Sequence, residues 1–192
     1  MIRPLTLILG GLTLAGGIPA QAGDPAAGRQ VANMCRTCHG LDGYAAIPIA
    51  PHIGGEPAEY LAAQLMAFKT GAREHEMMSI VAGGLSESQI ADVSAWYAAH
   101  DVVATLPEGV SEDDAPELCA GCHGVNGLAV VPDAPNLAGE VNVYTDTQLK
   151  AFRSGRREHE VMSGIAADLT DEEIREVANW YAEIVLEITP PE

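Results

Sequence analysis

Cysteine occurs at only four positions, Cys35, Cys38, Cys119 and Cys122. Phenylalanine is scarcer still, with Phe68 and Phe152 alone in 192 residues. A unit of about 85 residues with so few large side chains has a marginal core unless something else fills it. Basic residues are also few: 10 Lys and Arg stand against 27 Asp and Glu, a formal net charge of −17. That balance argues against nucleic acid and anionic lipid as partners. No stretch shows clear strand alternation, which points to an all-α chain. Nothing resembling a nucleophile with its base, or a pair of acid–base carboxylates, is evident either, so the chain is read as no enzyme by itself.

What is present is one pattern written twice. Cys35-Arg36-Thr37-Cys38-His39 and Cys119-Ala120-Gly121-Cys122-His123 lie 84 positions apart and use every cysteine in the chain. Two disulfides or a zinc site would also use four cysteines. Neither needs a His directly after each second cysteine, and zinc ribbons keep their pairs closer together. C-x-x-C-H instead reads as covalent attachment of a c-type haem, the thiols adding to the vinyl groups and the His binding the iron. Cys35, Cys38 and His39 form one expected site, and Cys119, Cys122 and His123 the other. Two covalent haems are the expected cofactors, each also filling the core of its own half.

Arg3 is the only charge before Asp24, an apolar run covers Leu5–Ile18, and Ala20-Gln21-Ala22 supplies a small-x-small site. This is the layout of a secretory signal peptide, residues 1–22, cleaved after Ala22. No other segment could span a bilayer. A periplasmic protein with no integral membrane segment after cleavage is expected. Residues 23–107 carry a net charge of −5 and residues 108–192 one of −13. A basic docking face on a redox partner would suit the second half, and so would a merely solvated acidic surface.

The offset of 84 extends without a gap: residues 31–98 align on 115–182 with about 30 of 68 positions identical. Tyr60, Gln64, Phe68 and Gly71 recur as Tyr144, Gln148, Phe152 and Gly155, and Trp96-Tyr97-Ala98 as Trp180-Tyr181-Ala182. The chain divides into an N-terminal domain, 23–104, and a C-terminal domain, 105–192, with a linker over Asp101–Ser111 where Pro107 and Gly109 fall. Each copy predicts a helix leading into the haem motif, a second that starts near Pro57 and stops at Gly71, and a last one opened by a capping box at Ser86 and Gln89, or Thr170 and Glu173. The second copy begins differently. Glu112 replaces Gly28 and Pro116 interrupts the first helix, which should be short or irregular there.

A haem that only passes electrons needs a second axial ligand. Glu74-His75-Glu76-Met77-Met78-Ser79 aligns with Glu158-His159-Glu160-Val161-Met162-Ser163. Met78 recurs as Met162 while Met77 becomes Val161, so Met78 and Met162 are the expected thioether ligands. Met34 and Met66 read as core filling. His75 and His159 are rival ligands, or polar groups of the loop. Arg73 and Arg157 could pair with a haem propionate or a nearby Glu. His52 and His100, which do not recur, read as surface residues.

Together these residues resemble class I cytochromes c, and the chain from residue 23 onward resembles the tandem two-haem c4 type. The likeness rests on Cys35–Gly43 and Cys119–Gly127 as C-x-x-C-H-G-x-x-G, on Ala50-Pro51 and Ala134-Pro135, and on the Tyr-x-x-x-Gln-Leu-x-x-Phe helix. The Gly-x-Arg…Met loop and the closing Trp-Tyr-Ala helix complete it. The resemblance implies that Pro51 and Pro135 offer their carbonyls to the proximal imidazoles, and that two domains pack about a pseudo-twofold axis. It implies a carrier of single electrons between respiratory partners, an oxidase, reductase or dehydrogenase. A dedicated electron-accepting subunit of a sulfide or thiosulfate dehydrogenase is the alternative. A two-haem peroxidase fits less well with a Met candidate in both copies.

Overall fold

The structure is a computed structural model that describes residues 23–191; the expected signal segment, 1–22, lies outside the described residues. The chain runs α1 (Pro25–Ala32), α2 (Arg36–His39), α3 (Ala58–Thr70), α4 (Met78–Gly83), α5 (Glu87–Ala98) and β1 (Asp101–Thr105). After a single 3₁₀ turn (Glu112–Asp114) come α6 (Glu117–His123), α7 (Asn142–Arg153), α8 (Met162–Ala167), α9 (Asp171–Ala182) and β2 (Val185–Thr189). Helices dominate, and the offset of 84 superposes α3, α4 and α5 on α7, α8 and α9 in chain order.

The helix ends follow from local chemistry. Ser86 Oγ accepts from Gln89 N while the Gln89 side chain accepts from Ser86 N, and Thr170 with Glu173 repeats the arrangement. Each box satisfies two backbone donors that the first turn would otherwise leave orphaned. Gly71 closes α3 at φ +81°, a left-handed position that costs a glycine nothing. Lys69 donates to the Gly83 and Leu85 carbonyls, and its counterpart Arg153 donates to the Leu169 carbonyl. In both halves a basic residue near the end of one helix thus holds the chain just beyond the next.

The two halves part company at their first helix. α1 packs directly on α5: a Cβ on Gly28 would collide with the Asp92 backbone oxygen and crowd Trp96. Asp24 caps α1 by accepting from Ala26 N, and its own N–H donates to Asp92 Oδ1. At the equivalent place the second half has Glu112, whose side chain could not enter such a contact. Pro116 stands where Ala32 is fully buried in the first half. Only the capped 3₁₀ turn forms, and α6 then starts directly after Pro116.

Two expectations are corrected. Asp101–Ser111 is not simply a linker, because β1 pairs antiparallel with β2, Asp101 opposite Thr189 and Thr105 opposite Val185. Burial alternates along both strands, with Val102, Ala104, Leu186 and Ile188 turned inward. Such short alternations, lying next to helices, escaped the sequence reading. The ribbon lies over loops of both halves. Its Val102 and Ile188 side chains occupy the space that Cβ atoms on Gly55 and Gly54 would need, and Leu186 does the same at Gly139. Ala104, Leu106 and Leu186 also join Tyr181 and Ile184 in the second core, whereas the first core is built on Ala32, Leu61, Val93, Trp96 and Tyr97. The second correction concerns Met34, which is 59% exposed and fills no core; it lies just beyond the end of α1.

Candidate haem sites

In each half a short helix carries the second cysteine and the histidine, on α2 in the first and α6 in the second. His39 and His123 are buried, and each ring is fixed by one hydrogen bond. Nδ1 of His39 donates to the Pro51 carbonyl at 2.9 Å, and Nδ1 of His123 to the Pro135 carbonyl at 2.8 Å. Burial lowers the pKa of both imidazoles and so favours their neutral form. A neutral ring with Nδ1 engaged presents Nε2 as its metal-binding nitrogen.

No disulfide joins any two of the four cysteines. Burial pushes the Cys35 thiol up to about 11 and raises that of Cys119. Among the described residues no three His, Cys, Asp or Glu side chains are grouped to hold a bare metal ion. The donor set in each half is therefore two thiols and one oriented neutral imidazole. That set fits a covalently tethered haem.

Met78 and Met162 begin α4 and α8 and are half-buried, while their neighbours Met77 and Val161 are exposed. The rival histidines are occupied in the loop itself. His75 Nδ1 accepts from Met77 N and Met78 N, and its ring stands edge-on to Phe68. His159 repeats this with Val161 N, Met162 N and Phe152. The imidazole here acts as a cap on the start of a helix.

The interface between the halves holds residues that the sequence reading misplaced. Among the described residues Arg73 and Arg157 bond to no Glu. Arg73 donates to Gln64 Oε1 of its own half at 2.7 Å, and to Gln148 Oε1 (2.7 Å) and the Tyr144 hydroxyl of the other. Arg157 mirrors it with Gln148, Gln64 and the Tyr60 hydroxyl. Each guanidinium also lies over a phenylalanine ring, Phe68 or Phe152. Among the described residues the ion pairs are Lys150–Asp146 and Arg153–Asp171, so these two cations meet without a carboxylate.

His52 and His100 are not surface residues; they are 7% and 3% exposed. His100 tucks back over the last turn of α5, where Nδ1 donates to the Trp96 carbonyl. His52 lies in the interface. Its Nδ1 accepts from Ala45 N and its Nε2 donates to the Gly139 carbonyl of the other half. Its counterpart Asn136 accepts from Ala129 N through Oδ1 and donates to the Gly55 carbonyl through Nδ2. An imidazole and an amide thus perform the same task, an acceptor at one end and a donor at the other.

Beside them sit two acids that the sequence reading passed over. Glu56 and Glu140 are buried, and each accepts a peptide N–H from the opposite half: Glu56 Oε2 from Asn136 N at 3.0 Å, Glu140 Oε2 from His52 N at 3.1 Å. Burial pushes the Glu140 carboxyl up to about 8 and raises Glu56 well above the carboxylate range, with Glu140 adding to the rise. The repeat of Gly55-Glu56 as Gly139-Glu140 was the available signal.

Two tethering motifs, two oriented imidazoles and a helical half around each define a two-haem c-type cytochrome. A family model described as cytochrome c matches residues 115–183. A cytochrome c4 of Thiocapsa roseopersicina is 35% identical over 178 residues, covering 83% of this chain and 92% of that protein. A thiosulfate dehydrogenase electron acceptor of Stutzerimonas stutzeri is 34% identical over 174 residues, 80% of each chain. The solved structure of reduced recombinant cytochrome c4 from Pseudomonas stutzeri superposes with a TM-score of 0.74 at 27% identity, covering 85% of this chain and all of that one. The chain belongs to the cytochrome c4 family. It is an electron-transfer protein with two covalent haems.

Proposed function

We propose that the chain works in the periplasm as a carrier of single electrons between respiratory redox proteins, with one haem ligated by His39 and Met78 and the other by His123 and Met162. Cys35, Cys38, Cys119 and Cys122 tether the porphyrins. When bound, each haem supplies the ferrous–ferric couple. The protein's part is to orient the ligands and exclude water. Pro51 and Pro135 hold the histidine rings in one tautomer, and Met78 and Met162, at the starts of α4 and α8, would supply the thioether ligands. Arg73 and Arg157 offer two uncompensated cations for haem carboxylates. The division into domains 23–104 and 105–192, and export through residues 1–22, belong to the same reading. Among the described residues no helix is long and apolar enough to cross a membrane.

The observation that carries the ligand assignment is the fate of the histidines. His75 and His159 accept backbone N–H groups at Nδ1, so in the neutral ring Nε2 carries the proton, and the methionine at the start of each short helix is the soft donor left. Met78→Ala and Met162→Ala should each remove the thioether-to-iron charge-transfer band from one haem, about half of its total intensity. Both variants keeping an unchanged low-spin spectrum would overturn the assignment.

A second reading is supported by the Stutzerimonas stutzeri relative: a dedicated electron acceptor of a thiosulfate dehydrogenase. Stopped-flow reduction by such an enzyme, compared with reduction by a cytochrome-reducing membrane complex, separates the two.

A further inference from the structure

The two buried acids and the two proximal histidines touch the same peptide planes. Nδ1 of His39 donates to the carbonyl of Pro51, and the N–H on the far side of that same peptide unit belongs to His52 and donates to Glu140. In the other half, Nδ1 of His123 donates to the carbonyl of Pro135, and the N–H of that unit, from Asn136, donates to Glu56. Each relay therefore runs imidazole, one amide, carboxylate, and each crosses from one half into the other. No cis peptide interrupts either path. The carbonyl and N–H of a trans peptide point to opposite sides and share one delocalised system, so a bond made at one end strengthens the acceptor at the other.

We propose that Glu140 and Glu56 are positioning residues and proton sites for the haem in the opposite half, Glu140 acting on His39 and Glu56 on His123. An ionised carboxylate polarises the intervening amide and makes the proline carbonyl a stronger acceptor. The imidazole N–H is then drawn toward the carbonyl, and the ring becomes a better donor to iron. That favours the ferric state and lowers the reduction potential. A protonated carboxyl does so far less. Reduction of one haem thus favours uptake of a proton by a carboxylate of the other half, and oxidation favours its release.

The surroundings keep such a proton site in play. Glu140 accepts from His52 N and Val141 N, and Glu56 accepts from Asn136 N. The titratable neighbours are each other, His52, with His39 beyond it, and Tyr60 on α3, which in turn feels Arg73 and Arg157. His52 is held neutral by burial and by the N–H it accepts from Ala45. Among the described residues no cation bonds to either carboxylate. Two like-charged groups are thus held close in a dry interface, where one of them titrates readily.

The inference rests on His39 and His123 being iron ligands, and the test separates the two ideas. Glu140→Gln and Glu56→Gln keep an acceptor oxygen but cannot ionise. In the full-length two-haem protein, each is titrated spectroelectrochemically from acid to alkaline pH, and the ring protons of His39 and His123 are followed by NMR in the ferric state. In Glu140→Gln the alkaline fall in potential should disappear from the His39 haem, with the His39 ring resonances displaced and the His123 haem unchanged. Glu56→Gln should give the mirror result. Should Glu140→Gln fail to accumulate, Glu140→Asp draws the charge back from His52 and should raise the potential of the same haem. A change at the haem in the variant's own half, at both equally, or at neither would overturn the relay. Ring protons at diamagnetic positions in every form would instead overturn the ligand assignment.

Discussion

The first half of the molecule holds its haem motif against a helix; the second holds the matching motif against a turn and a ribbon. In the first, α1 lies so close to α5 that Gly28 is the only residue type that fits, and Ala32, Trp96 and Tyr97 close the core. In the second, Glu112 and Pro116 forbid that helix, and Ala104, Leu106 and Leu186 pack against Tyr181. The geometry around the imidazole is nonetheless the same, His Nδ1 to proline carbonyl at 2.9 and 2.8 Å. Two different supports deliver one imidazole orientation. The motif and the loop after it set the site, and what lies behind them is replaceable so long as it is apolar and fills the space.

The contrast can be broken most severely at Gly28. Gly28→Ala forces a Cβ into the Asp92 carbonyl and should destabilise the first half by about 3 kcal/mol. Glu112→Ala, at the same place in the repeat, should stay within about 0.5 kcal/mol. Guanidinium unfolding read by Trp96 in a Trp180→Phe background, and by Trp180 in the reverse one, gives each half its own curve.

A somewhat smaller effect concerns pH. Between pH 4.5 and about 8 the folded protein holds a proton on Glu140 that the unfolded chain has already released. Folded stability therefore falls as pH rises through that window. Glu140→Gln should flatten this segment of the stability curve. An unaltered pH profile would show that Glu140 is ionised throughout.

The smallest effect separates the matched tyrosines. Tyr97 donates to the Gly40 carbonyl, and neighbouring Trp96 donates to that of Leu41. The hydroxyl of Tyr181 and the indole N–H of Trp180 are buried and find no protein acceptor among the described residues. Tyr97→Phe should cost about 1 kcal/mol, while Tyr181→Phe, which removes an unpaired group, should be neutral or slightly stabilising. Equal costs in the two unfolding curves would mean that the halves bond alike in solution.

Most of the architecture was legible because it is local. Cys-x-x-Cys-His, the capping boxes at Ser86 and Thr170, and the stop at Gly71 depend on residues within a few positions of one another. The weak start of the second half was legible too, from Pro116 and Glu112. What escaped depends on partners far along the chain. His52 bonds to a carbonyl 87 residues away and Glu140 to an N–H 88 residues away. A histidine that fails to recur looks dispensable until its amide substitute, Asn136, is seen making the same two bonds. A Gly-Glu pair in a loop reads as solvated until a ribbon covers it. The repeat did mark Arg73 and Arg157, but only the packing of one half on the other revealed that each reaches across.

The ribbon bears on how the two halves are held together. β2 follows every helix in the chain, yet its Ile188 rests on Gly54 of the first half and its Leu186 on Gly139 of the second. Every helix that supports the two haem motifs therefore precedes that strand in the chain. The last strand of the chain thus closes over both halves and adds an apolar cover to a seam that His52, Glu56, Arg73, Glu140 and Arg157 already bond across.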